Sequence, residues 1–147
     1  MNRRSILLVA LYVAAPSSSH GQAPWQESHI LENVPPQEVF HSILQRDLRA
    51  FAERSGYKSV TGIQYTLLRD APTQSGVSYP KYYVWLQVQS GSTVLVEGAA
   101  RVLAVDRVRF EVANFLTVQQ LRTTPSEAES VFPAPLVSGI LSRAGAK

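Results

Sequence analysis

The stretch YPKYYVWLQVQSGSTVLVEGAARVLAVDRVRFEVANFL, Tyr79 to Leu116, decides the fold. In its first part Tyr82, Val84, Leu86 and Val88 alternate with Lys81, Tyr83, Trp85, Gln87 and Gln89. Successive side chains on a strand point to opposite faces, so this period of two predicts a strand whose even residues meet a core. The same parity runs through Val94, Val96, Gly98, Ala100, Val102 and Ala104, and again through Val108, Phe110 and Val112. The result is three consecutive antiparallel strands with one apolar face. A connection of Ser90, Gly91 and Ser92 sets Gln89 opposite Thr93, Leu86 opposite Val96 and Trp85 opposite Glu97. A connection of Val105, Asp106 and Arg107 sets Val102 opposite Phe110 and Arg101 opposite Glu111. That last pair joins opposite charges, worth roughly 0.2 to 1 kcal/mol across a sheet, and a one-residue slip would turn the core outward.

Upstream, Val60 to Arg69 reads as a first strand with Ile63, Tyr65 and Leu67 inward. The loop Asp70 to Ser78 follows, with Pro72, Ser75 and Gly76 as its turn residues, and it is long enough to carry binding groups. Before the strand, Pro36 at a first helical position, with Gln37 and Glu38 behind it, starts a helix that Gly56 ends. Val39, Phe40, Ile43, Leu44, Leu48 and Phe51 recur at spacings of three and four, which makes the helix amphipathic. Small Gly98 and Ala100 on the inward sheet face would let this helix approach closely. With residues spaced at about 100° around the axis, Asp47 falls inside the apolar arc. A carboxylate there is either a pocket acid with a raised pKa or a structural group paired with an arginine or a backbone N–H. His41 lies on the solvent side and has no further ligands at metal spacing.

Downstream, Thr117 can cap a short helical turn through Leu121. Thr124-Pro125-Ser126-Glu127 has the form of a capping box and predicts a helix from Pro125 to about Val131, ended by Phe132-Pro133. Pro135 opens a last helix whose Leu136, Val137, Ile140 and Leu141 form one apolar stripe. That stripe needs a cover, either the second sheet face, an open sheet edge or another protein. The assembled fold is α+β, with one long N-terminal helix packed on a curved four-stranded antiparallel meander and short C-terminal helices.

The beginning of the chain reads differently. Arg3 and Arg4, an apolar run from Ile6 to Ala15, and then Pro16, three serines, His20 and Gly21 make residues 1–21 a secretory signal peptide, cleaved after Gly21 or Ala23. Ten apolar residues fall short of the roughly 20 that a membrane span needs, so no integral span is expected after cleavage. Residues 22–35 read as an extended arm, and 36–147 as a single domain. The expected location is periplasmic or secreted. The full chain has 14 Lys and Arg against 11 Asp and Glu, and removal of Arg3 and Arg4 leaves 12 against 11, a net charge of +1. The precursor pI is thus no evidence for nucleic acid, whose binders show a clustered basic face rather than a near-neutral balance, and no nucleic-acid partner is expected. With no cysteine there is no disulfide, so the domain holds together by packing alone.

In topology the helix and sheet, Pro36 to Leu116, resemble the cystatin-like group of folds, which includes secreted protease inhibitors and the nuclear transport factor 2-like (NTF2-like) pocket proteins. The resemblance implies architecture and not activity. The inhibitors carry a Gln-x-Val-x-Gly hairpin, whereas Gln87-Val88-Gln89-Ser90-Gly91 has Gln89 in place of the valine. Val105-Asp106-Arg107 likewise lacks their Pro-Trp wedge. No motif for a nucleophile with its base, a metal set or a cofactor stands in the chain. The expected function is therefore non-catalytic binding of a protein or envelope component, with Tyr83, Trp85, Arg101 and Glu111 on the outward sheet face as the binding set. Aromatic residues are enriched at such surfaces, and the C-terminal helices are the alternative cover for them. The second expectation is an NTF2-like pocket protein that binds a small apolar ligand or moves a proton, with Asp47 as its acid and sole catalytic candidate.

Overall fold

The computed structural model describes residues 32–76 and 78–146. The expected signal peptide, residues 1–21, and residues 22–31 of the expected arm lie outside the described residues. Glu32 and Asn33, at the end of the expected arm, are helical rather than extended. Helix α1 spans Gln37–Arg54. It is followed by strands β1 (Gly62–Leu67), β2 (Lys81–Ser90), β3 (Thr93–Asp106) and β4 (Arg109–Thr117), which form one antiparallel sheet in the order β1-β2-β3-β4. Three short helices complete the chain: α2 (Val118–Thr123), α3 (Ser126–Val131) and α4 (Ala134–Ala144). This is the expected α+β architecture, with a helix on one face of a four-stranded sheet and the C-terminal helices on the other.

The register differs from expectation in an instructive way. Both hairpins use a two-residue turn and a bulge where the sequence suggests a three-residue connection. Ser90 pairs with Thr93 and Gln89 with Val94, after which Leu95 is the extra residue and Val88 meets Val96. Asp106 pairs with Arg109, Val105 is the extra residue, and Ala104 meets Phe110. A two-residue turn alone would set even residues opposite odd ones, and the bulge restores the parity that keeps the apolar face inward. Trp85 therefore faces Ala99, not Glu97, and Val102 faces Val112, not Phe110. Val94, before the first bulge, is 45% exposed, and Val108, in the second turn, is 64% exposed, so neither belongs to the core. A third bulge at Ala113 reverses the faces of β4, sending Phe115 to the helix side and Leu116 to the other.

The first core lies between α1 and the sheet. Phe40, Leu44, Leu48 and Ala52, a stripe at intervals of four, are buried against Ile63, Tyr82, Val84, Leu86, Val88, Ala100, Val102, Ala104 and Phe110. Val39, expected on that stripe, is 41% exposed. The Phe40, Tyr82 and Phe110 rings meet edge-on, with centroids 5.1 to 5.9 Å apart. The backbone of α1 approaches the edge strands β4 and β1 more closely than the central pair, as it does when a sheet curls around a helix. Long polar side chains of α1 then reach both sheet edges. Arg49 donates to the Val60 carbonyl at 2.9 Å and the Thr61 carbonyl at 3.2 Å, and Gln45 to the Ile63 carbonyl at 3.3 Å. On the opposite edge, Arg46 donates to the Val108 carbonyl at 2.7 Å.

Burial raises the Tyr82 and Tyr65 phenols above their ordinary pKa of 10.0. A phenol whose folded pKa is raised contributes stability that is complete below the unfolded pKa and is lost as pH rises through the folded value. Stability is thus expected to fall above about pH 10, and Tyr82→Phe to flatten that fall while changing little at neutral pH. Urea unfolding of both chains at neutral pH and at about pH 11 checks this.

Candidate functional site

The register maps the outer sheet face in rows. Lys81, Leu103 and Glu111 lie side by side; then Tyr83, Arg101 and Asn114; then Trp85, Ala99 and Leu116; and then Gln87 and Glu97. The two middle rows are roofed by α2, α3 and α4. Tyr83, Trp85, Ala99 and Leu116 are buried with Leu121, Ala128, Phe132, Ile140 and Ala144 in a second core, with Leu136, Val137 and Leu141 packed against it. The apolar stripe of α4 thus finds its cover in the sheet. Local chemistry sets the roof: Thr117 and Gln120 form a reciprocal capping box at α2, and Gly145 in the left-handed conformation closes α4. At α3 the Glu127 N–H donates to the Thr124 backbone carbonyl at 3.1 Å, so the capping box expected from the Thr124 side chain is not what starts that helix.

The structure therefore separates the expected binding set. Tyr83 and Trp85 are interior, 3% and 1% exposed, and offer no surface to a partner. The Tyr83 hydroxyl is 2.6 Å from the Thr73 hydroxyl in the loop before β2. Arg101 reaches under α3 and donates to the Val131 carbonyl at 3.4 Å. Its cross-strand neighbour is Asn114, because the bulges shift the pairing, and Glu111 faces Leu103 instead. The Arg101–Glu111 pair is thus not formed. Arg101 Nε and Asn114 Oδ1 are buried without a hydrogen-bond partner among the described residues. Glu111 itself is exposed.

Asp47 sits where the helical arc places it, with its side chain 15% exposed, and its partners are structural. One carboxylate oxygen accepts from the Phe110 backbone N–H at 2.7 Å, and the other from Arg46 Nε at 2.9 Å. It pins the start of β4 to α1. Asp47→Ala is expected to lose about 1 to 3 kcal/mol, the range for a buried backbone donor left without its acceptor. Hydrogen exchange at Phe110 that is no faster in the variant would contradict this role. His41 is exposed, and its Nδ1 lies 2.6 Å from the Tyr65 hydroxyl.

The functional candidate is elsewhere, where β4 leaves the sheet. Val96, Glu97, Thr117, Val118, Gln119 and Arg122 line an open cleft of about 420 Å³ between β3 and α2. Its acid is held by the second core. Trp85 Nε1 donates to Glu97 Oε1 at 2.5 Å, and the Arg143 guanidinium lies over the indole, 4.7 Å from the ring centroid. Its base is held as well, since Arg122 Nε donates to the Ala144 carbonyl at 2.5 Å. Glu97 and Arg122 form no ion pair with each other, and no hydrogen bond from the Arg122 Nη groups is found among the described residues. The cleft offers a carboxylate, a guanidinium and valine surface, which suits binding. Its hydroxyl, Thr117, is committed to capping α2. Among the described residues no group of three or more His, Asp or Glu side chains is placed to hold a metal ion, and no helix is long and apolar enough to cross a membrane. Sequence reasoning missed this site because Glu97 and Arg122 meet only through the β4-to-α2 corner.

No protein-family model, curated protein or solved structure matches the chain.

Proposed function

We propose that this chain is an exported, non-catalytic binding domain for a protein component of the cell envelope, and that it binds through the cleft beside Glu97 and Arg122. The single observation that carries the reading is the cleft itself, where an acid and a base fixed by the second core face open solvent without neutralising each other. Export rests on the basic and apolar pattern of residues 1–21. The helix on a four-stranded meander supports the cystatin-like roll as the finer architecture. Asp47 as the acid of a proton-transfer pocket is disfavoured, since both of its oxygens are engaged by α1 and β4 groups.

A photo-cross-linking residue at Gln119, on the cleft rim and exposed, tests the reading against the same residue at exposed Lys58. In intact cells the Gln119 chain is expected to form a discrete adduct that the Lys58 chain does not. Equal adducts from both positions, or none from Gln119, would overturn it.

A further inference from the structure

Helix side chains engage the starts of both edge strands of the sheet. Gln45 and Arg49 take the carbonyls at and before the start of β1, and Arg46 and Asp47 occupy the start of β4. The pairing of β3 with β4, however, stops at Gly98 opposite Thr117. From Thr93 to Glu97, β3 is bonded to β2 on one side only, and no backbone bond engages its other side among the described residues. This segment reads Thr-Val-Leu-Val-Glu, without the lysine or proline that usually blunts an edge. Val94 and Leu95 are exposed on it, at 45% and 37%. The cleft with Arg122 lies at its inner end, against α2.

We propose that this edge takes up the extended C-terminal segment of a partner protein as an added strand running parallel to β3, the direction that brings its last residue to Glu97, with its terminal carboxylate on Arg122. The inference rests on the binding reading above and specifies its ligand. Strand addition uses unpaired backbone groups for affinity and neighbouring pockets for specificity. Two observations select the occupant. First, β4 and Thr117 fill the edge from Gly98 onward, so a strand lying along Thr93–Glu97 meets a wall at the cleft and has to end there. A chain end fits that wall, and a through-running segment does not. Second, Arg122 is the cation lining the cleft, with Nε fixed on Ala144 and its Nη donors directed at no acceptor among the described residues, while the other charge in that lining, Glu97, has one carboxylate oxygen drawn to Trp85 Nε1. A planar guanidinium matches a carboxylate through two parallel N–H bonds. A second copy of this chain is a poorer occupant, because so short an edge buries far less than the roughly 1,200 Å² of a standard stable interface. The Leu95 bulge shortens the regular ladder further, so the carboxylate contact has to carry much of the recognition.

The test adds to the full chain a pool of synthetic peptides of about six residues with Val, Ile, Leu or Thr at every position, once with free C-terminal carboxylates and once amidated. Amide hydrogen exchange at Thr93–Glu97 is the readout. The free-acid pool is expected to slow exchange there and to act at concentrations at least about tenfold lower than the amidated pool. Arg122→Gln is expected to abolish that difference. Because Arg122 also holds the end of α4, the comparison of the two pools on the unaltered chain decides the matter if the variant folds poorly. No slowing at Thr93–Glu97, or equal slowing by both pools, overturns the proposal. A discrete Gln119 adduct together with inactive peptides would end strand addition and leave the binding reading standing, whereas loss of both ends both.

Discussion

Gly98→Ala is expected to destabilise the chain by roughly 3 kcal/mol or more, the upper range for a forced steric overlap in a packed interior. A Cβ at Gly98 would overlap the Leu116 carbonyl oxygen and lie 2.8 Å from Thr117 Cα and 2.9 Å from the Leu116 carbonyl carbon. All three are backbone atoms, so no side chain can rotate away. The neighbour that makes a glycine necessary is thus not the helix, as inward-facing Gly98 and Ala100 suggest, but β4 at the corner where it becomes α2. Displacing that corner disturbs the Gly98–Thr117 pairing, the Thr117 capping box and the wall of the cleft together. Gly139→Ala supplies the contrast: a Cβ there meets nothing within 4 Å, and the position is inside α4. Replacing a helical glycine in open space is expected to stabilise by about 0.5 to 1 kcal/mol. Denaturant unfolding of the two variants should therefore give shifts of opposite sign, and a Gly98→Ala chain as stable as its parent would contradict the geometry.

How far the fold was legible follows from where its information lies. Period-two alternation through Val88 and again from Val96 to Ala104 is a face-by-face property, so the inner face could be read directly. The bulges at Leu95, Val105 and Ala113 could not, because each extra residue is an apolar one like its neighbours in the core pattern, and nothing in composition marks it. The pairing of Arg101 with Glu111 failed for that reason alone. Two stretches, Thr117 to Gln120 and Thr124 to Glu127, have the capping-box form, and the structure uses the side chains of the first. A local pattern states what a segment is able to do, and its neighbours decide whether it does so. Asp47 was legible in position and not in partner: the helical period puts it at the sheet, but only the curled β4 edge supplies the Phe110 N–H. Gln45, Arg46 and Arg49 look like a solvated helix face, and it is their reach to strand edges that makes them structural. The candidate cleft is the extreme case, since its acid and base lie on β3 and α2 and are brought together by a change of direction that no periodicity encodes.

Trp85→Ala is expected to lose about 3 to 5 kcal/mol, as large-to-small changes of a buried aromatic do, and the loss should be felt first on the roof side of the sheet. Trp85 is among the largest fully buried side chains and belongs to the core shared with α2, α3 and α4. Leu48→Ala, in the core under α1, should lose about 2 to 5 kcal/mol. The two differ in what loosens: tryptic cleavage after Arg122 and Arg143 should accelerate more in Trp85→Ala, because α2 and α4 lose the surface they dock on. Equal acceleration in both would mean that the two cores unfold as one unit, since β2 and β3 supply alternate residues to each. Trp85→Phe then separates packing from polarity. It keeps most of the ring beneath Arg143 but removes the indole N–H that holds Glu97. Because Glu97 is only partly buried, freeing its carboxylate should lower stability by about 1 kcal/mol. If the cleft recognises a partner through a fixed acid and base, the Gln119 adduct should weaken in Trp85→Phe while the fold persists, tying the second core to the site as its positioning element.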